Sequence, residues 1–385
     1  MSDLPGLARP SAVPRLTLRA RMGLAALLIV LLVAVTEGLL WIVAPVPYHE
    51  WMVWVPDGNV RGRAEPNQVV HNLAGNPVRI NRLGFRGPDY AWKPAPGTLR
   101  LIALGGSSTF CFQSSTEETT WPRLLQKYLA DRLAMPVEVV NLGLPGYDAS
   151  NSKVNYLFTG RALHPHAALM YHTWNDMKFF RMLTREPVLY TNLGEYKPLW
   201  QKVARATQIG RRVRNILHSL RMTRAETFYT SLEREGTAAN EPIAPSALDW
   251  ARRNYVDFAL LARADGVLPV LVTQATLAHP ENLENSEIRR HINASDQGMT
   301  LPVLCETWQQ VNAILRRVAN QQDAVFVDGY SAVPADREHL LDHVHLTDAG
   351  CAALARVIGE TLLQDTRFQT LATRVRNESD NTNVR

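Results

Sequence analysis

LRLIALGGSSTFCF, residues 99–112, decides how the chain is read: a short run, apolar but for Arg100, stops abruptly in Gly-Gly-Ser-Ser-Thr. A short apolar run without alternation has the pattern of a strand buried on both faces, which is how strands of a parallel sheet read. Two glycines and three hydroxyl residues then predict a sharp turn at the strand's carboxyl end. Open α/β sheets place their chemistry at that edge. Ser107 in this turn is the candidate nucleophile, and a hydroxyl nucleophile needs a base, an orienter for the base and donors for an oxyanion.

The same rhythm of strand, turn and helix recurs downstream. A helix is expected over about 119–133, where Trp121, Leu124, Leu125, Tyr128 and Leu129 recur at helical spacing. The strand VEVVNLGL (137–144) ends in the glycine turn LGLPGYDASNS, and a helix over about 150–163 leads to the strand AALMYHTW (167–174), which stops at Asn175 and Asp176. After an interruption the rhythm resumes with a helix over about 246–264, the strand GVLPVLVTQ (266–274), a helix over about 301–320, the strand AVFVD (324–328) and a helix over about 347–363. Strands alternating with helices imply right-handed crossovers and a parallel sheet covered on both faces.

Upstream, residues 1–21 are polar and basic, with Arg9, Arg15, Arg19 and Arg21 against the single Asp3. MGLAALLIVLLVAVTEGLLWIVAPV, residues 22–46, is long and apolar enough to span a bilayer, with arginines on one flank and Trp41, Trp51 and Trp54 at or beyond the other. Arginine ahead of the span predicts a cytoplasmic tail, a single-pass inner-membrane anchor and a periplasmic or otherwise extracytoplasmic remainder. A cleaved signal peptide would have a shorter apolar core and a small-x-small cleavage site. Glu37 is the flaw in the span, because a carboxylate at depth is costly. Residues 47–98 are rich in Pro, Gly, Asn and Arg and read as a stalk and lead-in, with short β pieces and glycine turns at Gly84 and Gly87. Residues 179–245 contain no buried-strand run and read as a basic helical insertion: a solvated face, a lid, or a surface for anionic lipid. The polar segment 366–385 is expected to be a disordered tail, which leaves 99–365 as the main domain.

The chain's 385 residues suffice for one large core with appendages, and a net charge of +5 is small over that length. The basic residues gather in the amino-terminal tail and the insertion, a distribution that does not predict a nucleic-acid partner. Cys111, Cys305 and Cys351 are distant in sequence and odd in number, so they suggest neither a disulfide framework nor a metal site; they read as core fillers, with one pair able to bridge in an oxidising compartment.

The strand ends and the loop before the last helix supply the missing groups. In HLLDHVHLTDAG (339–350), His345 is the candidate base and Asp342 its orienter. The backbone N–H groups of Ser107 and Gly146 and the Asn175 side-chain amide are candidate oxyanion donors. Each piece alone has a plainer reading: a helix cap, a turn glycine, a surface Asp-x-x-His. Their shared placement favours a site. His343, one residue from His345, is expected to point the other way. A metal reading of His339, His343 and His345 lacks the carboxylate and thiol ligands such a site would use, so neither metal nor cofactor is expected. His172 reads as a core residue, and Ser108 is the rival nucleophile.

Taken together, Gly105–Thr109, the turn at Gly146, Trp174–Asp176 and Asp342–His345 resemble the four ordered blocks of the SGNH (GDSL-like) hydrolases. The lead-in NRLGFRGPDY before GGSST is similar to a membrane-anchored bacterial branch of that superfamily, and the resemblance spans about 81–363 without the insertion. It implies a three-layer α/β/α sandwich with a flavodoxin-like sheet. It also implies Ser107 as nucleophile, Asp342 and His345 as the rest of a triad, and Gly146, Asn175 and the Ser107 amide as the oxyanion hole. The implied activity is a serine esterase, or an O-acyltransferase with the same residues. An extracytoplasmic address makes an acylated carbohydrate the first substrate class and a lipid ester the second. A non-catalytic anchored scaffold would have a degenerate triad, whereas all its members are present. Two departures stand out. Gly106 replaces the usual Asp before the nucleophile, and Thr173 replaces the usual Gly two residues before Asn175.

Overall fold

The computed structural model describes residues 17–44, 54–55, 62–71, 76–177, 207–213, 243–293 and 299–382. Two units divide the chain: Met1–His49 with Lys197–Ala225, and Glu50–Tyr196 with Glu226–Arg385.

In the first unit, helix α1 (Leu18–Val43) starts at Thr17, whose hydroxyl accepts the Ala20 N–H at 3.3 Å. Its 26 residues are long and apolar enough to cross a membrane, rising about 39 Å at 1.5 Å per residue. The helix begins four residues before the expected span and takes in Arg19 and Arg21. Glu37 is not bare: it accepts from Trp41 Nε1 at 2.9 Å, from the Ile209 N–H at 3.0 Å and from the Gln208 N–H. Those two amides open the short helical piece at 208–213, and the Arg211 guanidinium lies over the Trp41 ring. The carboxylate therefore receives donors that an apolar span alone would not supply. Apart from 207–213 and 243–245, the insertion lies outside the described residues, as do residues 1–16 of the amino-terminal tail.

The second unit starts with two small antiparallel ribbons, β1 (Trp54–Val55) with β2 (Arg63–Ala64) and β3 (Val69–His71) with β4 (Pro77–Arg79). A five-stranded parallel sheet follows, formed by β5 (Leu99–Gly105), β6 (Val137–Asn141), β7 (Ala167–Tyr171), β8 (Leu268–Val272) and β9 (Val325–Val327) in the order β6-β5-β7-β8-β9. Every residue of β5 and β7 is buried, as runs that are apolar apart from Arg100 lead one to expect. Helices α2 (Ser107–Phe110) and α3 (Trp121–Leu133) follow β5, α4 (Ala149–Asn155) follows β6, and α5 (Pro245–Ala264) precedes β8. Helices α6 (Ser286–Asn293) and α7 (Leu301–Gln321) lie between β8 and β9; α8 (Gly329–Ala332), α9 (Asp348–Gln364) and α10 (Thr366–Thr382) end the chain. The pair α3 and α9 and the pair α5 and α7 each pack together beside the sheet, giving a three-layer α/β/α sandwich with flavodoxin-like strand order. The chain leaves β5 to one side for β6 and returns to the other for β7, so the crevice at this switch lies above the carboxyl end of β5.

The expected helix over 150–163 is α-helical only to Asn155, then passes through a π turn (Tyr156–Gly160) and a 3-10 turn (Arg161–Leu163). At Gly160 a Cβ would stand 2.9 Å from Ile102 Cδ1, so glycine lets this segment close against β5. The disordered tail expected over 366–385 is corrected: α10 occupies most of it. Phe368, Leu371, Ala372 and Val375 are buried at helical spacing, and Asp365 Oδ1 caps the start by accepting the Arg367 and Phe368 N–H groups. Four apolar positions in a polar segment are enough when the sheet is there to receive them.

The lead-in is also more than a stalk. Ile80, Phe85, Arg86 and Tyr90 are buried. The Arg86 guanidinium pairs with Glu117 at 2.9 Å and donates to the carbonyls of Phe110 at 3.1 Å, Cys111 at 2.5 Å and Thr116 at 3.1 Å, so it holds the chain leaving α2. The three cysteines are buried thiols; Cys111 Sγ lies 3.9 Å from Cys351 Sγ, a contact rather than a bond.

Candidate active site

Ser107 is the first residue of α2, directly beyond β5, and its hydroxyl is 2.7 Å from His345 Nε2. His345 Nδ1 lies 2.6 Å from Asp342 Oδ2. The loop that delivers this pair is shaped by its own backbone: Leu340 bridges Leu346, and the Leu341 N–H donates to the His345 carbonyl at 2.8 Å. Asp342 Oδ1 accepts the N–H groups of Val344 at 2.9 Å and His345 at 2.8 Å. That leaves Oδ2 for Nδ1–H, which in turn leaves Nε2 as an acceptor facing the Ser107 hydroxyl. Burial acts to raise the Asp342 pKa, yet the His345 hydrogen bond, the charges of His345 and His343 and the Val344 N–H together hold it well below the usual carboxylate range. An ionised Asp342 orients the imidazole and favours its protonated form when a proton arrives.

The other candidate groups converge on the same turn. Asn175 follows β7, and its Nδ2 donates to the Tyr147 carbonyl at 2.7 Å, one residue beyond Gly146. Gly146 has φ +79°, a conformation glycine adopts freely. A Cβ on Gly106 would stand 2.6 Å from Asn175 Nδ2 and 3.0 Å from the Tyr147 carbonyl, so the bare backbone at 106 leaves room for the Asn175 amide beside the nucleophile turn. Thr173, the second departure, is fully buried and turns its hydroxyl onto the His172 carbonyl.

The rivals are placed elsewhere. Ser108 is buried, with its hydroxyl donating to the Val344 carbonyl and accepting from Gln274 Nε2, both at 3.0 Å. The ring of His343 lies 3.8 Å from that of Trp174, and His339 pairs with Asp336 at 2.8 Å. The three imidazoles are thus engaged separately. His172 is buried against Ser152 Oγ at 2.6 Å, and burial pushes its pKa down to about 3. Gln274 and Arg86 were not singled out by their sequence context: a Gln after an apolar strand and an Arg in a glycine-rich lead-in have no distinctive pattern, and only their long-range partners reveal them.

Asp176, next to Asn175, is a second carboxyl at this edge, and it is fully buried. Its Oδ1 accepts the Ala149 N–H at 2.8 Å, and its Oδ2 lies 3.1 Å from the Tyr255 hydroxyl, which is itself 3.2 Å from the His172 carbonyl. Burial, with repulsion from Asp148, pushes the Asp176 pKa up to about 8.

No protein-family model matches the chain, and no curated protein sequence is similar to it. Among solved structures it is similar to the acetylxylan esterase Axe2 of Geobacillus stearothermophilus, with 14% identity over 68% of this chain and 93% of that one and a TM-score of 0.42. It is also similar to a GDSL-like lipase from Bacteroides thetaiotaomicron, with 14% identity over 68% and 86% and a TM-score of 0.37. A third likeness is to a putative acylhydrolase from Bacteroides fragilis, with 15% identity over 72% and 88% and a TM-score of 0.37. At this level of similarity no residue role passes from them to this chain. The chain's own five-stranded parallel sheet, in the order β6-β5-β7-β8-β9, makes the fold a three-layer α/β/α sandwich.

Proposed function

We propose that the chain is a membrane-anchored serine esterase that acts outside the cytoplasm on acyl esters of carbohydrate. The observation that carries this reading is the unbroken relay from Asp342 Oδ2 through His345 to Ser107 Oγ, with contacts of 2.6 and 2.7 Å. In the proposed reaction Ser107 Oγ attacks the acyl carbon while His345 Nε2 takes its proton. The charge that forms on the carbonyl oxygen meets the Ser107 N–H, the Gly146 N–H and the Asn175 amide. The protonated His345 then gives its proton to the departing sugar oxygen. Water enters and attacks the acyl carbon as it loses a proton to the same nitrogen; the bond from that carbon to Ser107 Oγ then breaks, His345 returns the proton to Oγ, and the carboxylic acid leaves. Neither metal nor cofactor is needed in this scheme. The carbohydrate class rests on the proposed address: arginines ahead of and at the start of the apolar span favour an orientation with the remaining chain outside the cytoplasm, where cell-envelope and exported polysaccharides carry acyl groups.

The test uses the full chain in detergent, a fluorophosphonate probe and p-nitrophenyl acetate. Wild type is expected to label and to turn over, and Ser107→Ala to do neither. Labelling that survives Ser107→Ala and vanishes in Ser108→Ala would move the nucleophile by one residue. A reporter that works only outside the cytoplasm, fused after Glu50, is expected to be active; activity of only a cytoplasmic reporter there would reverse the orientation.

A further inference from the structure

We infer that Gln274 is a positioning residue that locks the nucleophile turn, the oxyanion block and the histidine loop into one register. The inference rests on the proposed roles of Ser107, Asn175 and His345, and it deepens that reading by naming what sets their spacing.

Gln274 lies just beyond β8, two residues after Val272, and is almost fully buried. Its Oε1 accepts the Trp174 N–H at 2.8 Å, at the residue before Asn175. Its Nε2 donates to Ser108 Oγ at 3.0 Å, at the residue after Ser107. The Ser108 hydroxyl passes its own proton to the Val344 carbonyl at 3.0 Å, at the residue before His345. One amide thus touches a neighbour of two of the three working side chains and, through the Ser108 hydroxyl, reaches a neighbour of the third. The orientation of the amide is dictated by its partners, because the Trp174 N–H can only donate and the Val344 carbonyl can only accept. Ser108 therefore spends its proton on Val344 and must receive one from Gln274.

The frame that holds Gln274 is itself tied down. Its carbonyl accepts Trp308 Nε1 at 2.9 Å, and the Ala275 N–H donates to the Tyr171 hydroxyl at 3.1 Å. The same strand extension grips the histidine loop a second time, since Thr276 Oγ1 at 2.8 Å and the Leu277 N–H at 3.0 Å both donate to the His343 carbonyl. Gln274 touches no reacting atom. Its effect would reach catalysis through the backbone at Trp174, Ser108 and Val344, where a misplacement of about 1 Å can lower a rate by about a hundredfold.

Gln274→Met keeps the side chain's length and removes its hydrogen bonds. Gln274→Glu keeps the shape and makes the donor depend on pH: a neutral carboxyl gives a proton to Ser108 Oγ and accepts from Trp174, whereas a carboxylate accepts only. Both are made in the full chain in detergent, active sites are titrated with the fluorophosphonate, and p-nitrophenyl acetate turnover is expressed per titrated site. Misfolded molecules then drop out of the comparison. Gln274→Met is expected to lower kcat per site by about tenfold or more with KM changed by less than about twofold. For Gln274→Glu, kcat per site relative to wild type is expected to fall as pH rises and the new carboxyl ionises. Ser108→Ala is expected to lower kcat too, and its combination with Gln274→Met to be no slower than Gln274→Met alone beyond about threefold, because the two act through one link. Wild-type kcat per site in Gln274→Met, or a pH-independent ratio for Gln274→Glu, would overturn the inference. Losses that multiply in the double variant would overturn the route through Ser108. A wild-type chain that neither labels nor turns over would instead remove the esterase reading, and this inference with it.

Discussion

Two aspartates at the carboxyl edge of the sheet have opposite charge states, although both are hydrogen-bonded and neither is surface-exposed. Asp342 sits in the loop before α9 and gathers two backbone N–H groups and an imidazole, so it is held ionised. Asp176 sits beneath the edge with one backbone N–H, one phenol and a neighbouring Asp148, and is held neutral at moderate pH. Burial pushes both upward; what differs is the supply of donors and positive charge. The carboxyl facing the crevice is equipped to stabilise an imidazolium, and the one behind it to close a buried polar network without charge.

The comparison breaks hardest at the relay itself. Ser107→Ala and His345→Ala are each expected to lower p-nitrophenyl acetate turnover by about 10⁴-fold or more, since members of such a unit fail together. Asp342→Asn is expected to cost about 10⁴-fold in kcat, because an amide cannot settle the imidazole tautomer or stabilise its charge as the carboxylate does. Steady-state kinetics on folded, gel-filtered protein checks all three. An Asp342→Asn chain within tenfold of wild type would remove the functional half of the contrast.

A smaller loss is expected from the oxyanion side. Asn175→Ala should lower kcat by about 10²–10³-fold, the usual consequence of deleting one such donor. Gly106→Ala should act in the same direction, because its methyl would stand 2.6 Å from Asn175 Nδ2 and push that amide away. If Gly106→Ala leaves kcat unchanged, the amide does not need the place it occupies beside the turn.

How much of this was legible in the sequence follows from the range of the interactions. Strands β5 and β7 are legible because burial on both faces leaves their runs apolar apart from Arg100, whose guanidinium is buried on Glu138 and three carbonyls, and the switch above β5 follows from their order. Asp342 and His345 could be paired because they are three residues apart in one loop. Gln274 could not: its partners are Ser108, 166 residues away, and Trp174, 100 residues away, and nothing in VLVTQ marks it as a junction. Arg86 was hidden likewise, its partners lying on the loop after α2. Helix α10 was missed because its polar residues outweigh four spaced apolar ones, whose value appears only against the neighbouring helix and sheet. The contrast between Asp342 and Asp176 was out of reach altogether, since it depends on groups from the loop before α9, the start of α4 and the middle of α5.

Asp176 offers the finest cut. Its hydroxyl partner Tyr255 has one proton, within reach of both Asp176 Oδ2 at 3.1 Å and the His172 carbonyl at 3.2 Å. A neutral Asp176 can give its own proton to the Tyr255 oxygen, leaving the phenol proton for the His172 carbonyl, and still accepts from the Ala149 N–H. Asparagine can reproduce both bonds, so Asp176→Asn should keep the fold and lose its pH dependence here. The sign follows from proton uptake. Between the unfolded value near 4 and the folded value of about 8, the folded chain holds a proton that the unfolded chain has released. Wild type should therefore lose stability as pH rises through that window, by up to about 1.4 kcal/mol per pH unit from this one group. Asp176→Asn carries no such term, so its melting temperature relative to wild type should climb from pH 5 to pH 8. Parallel melting curves across that range would show that Asp176 is already ionised in the folded chain, and the two aspartates would then differ in location alone.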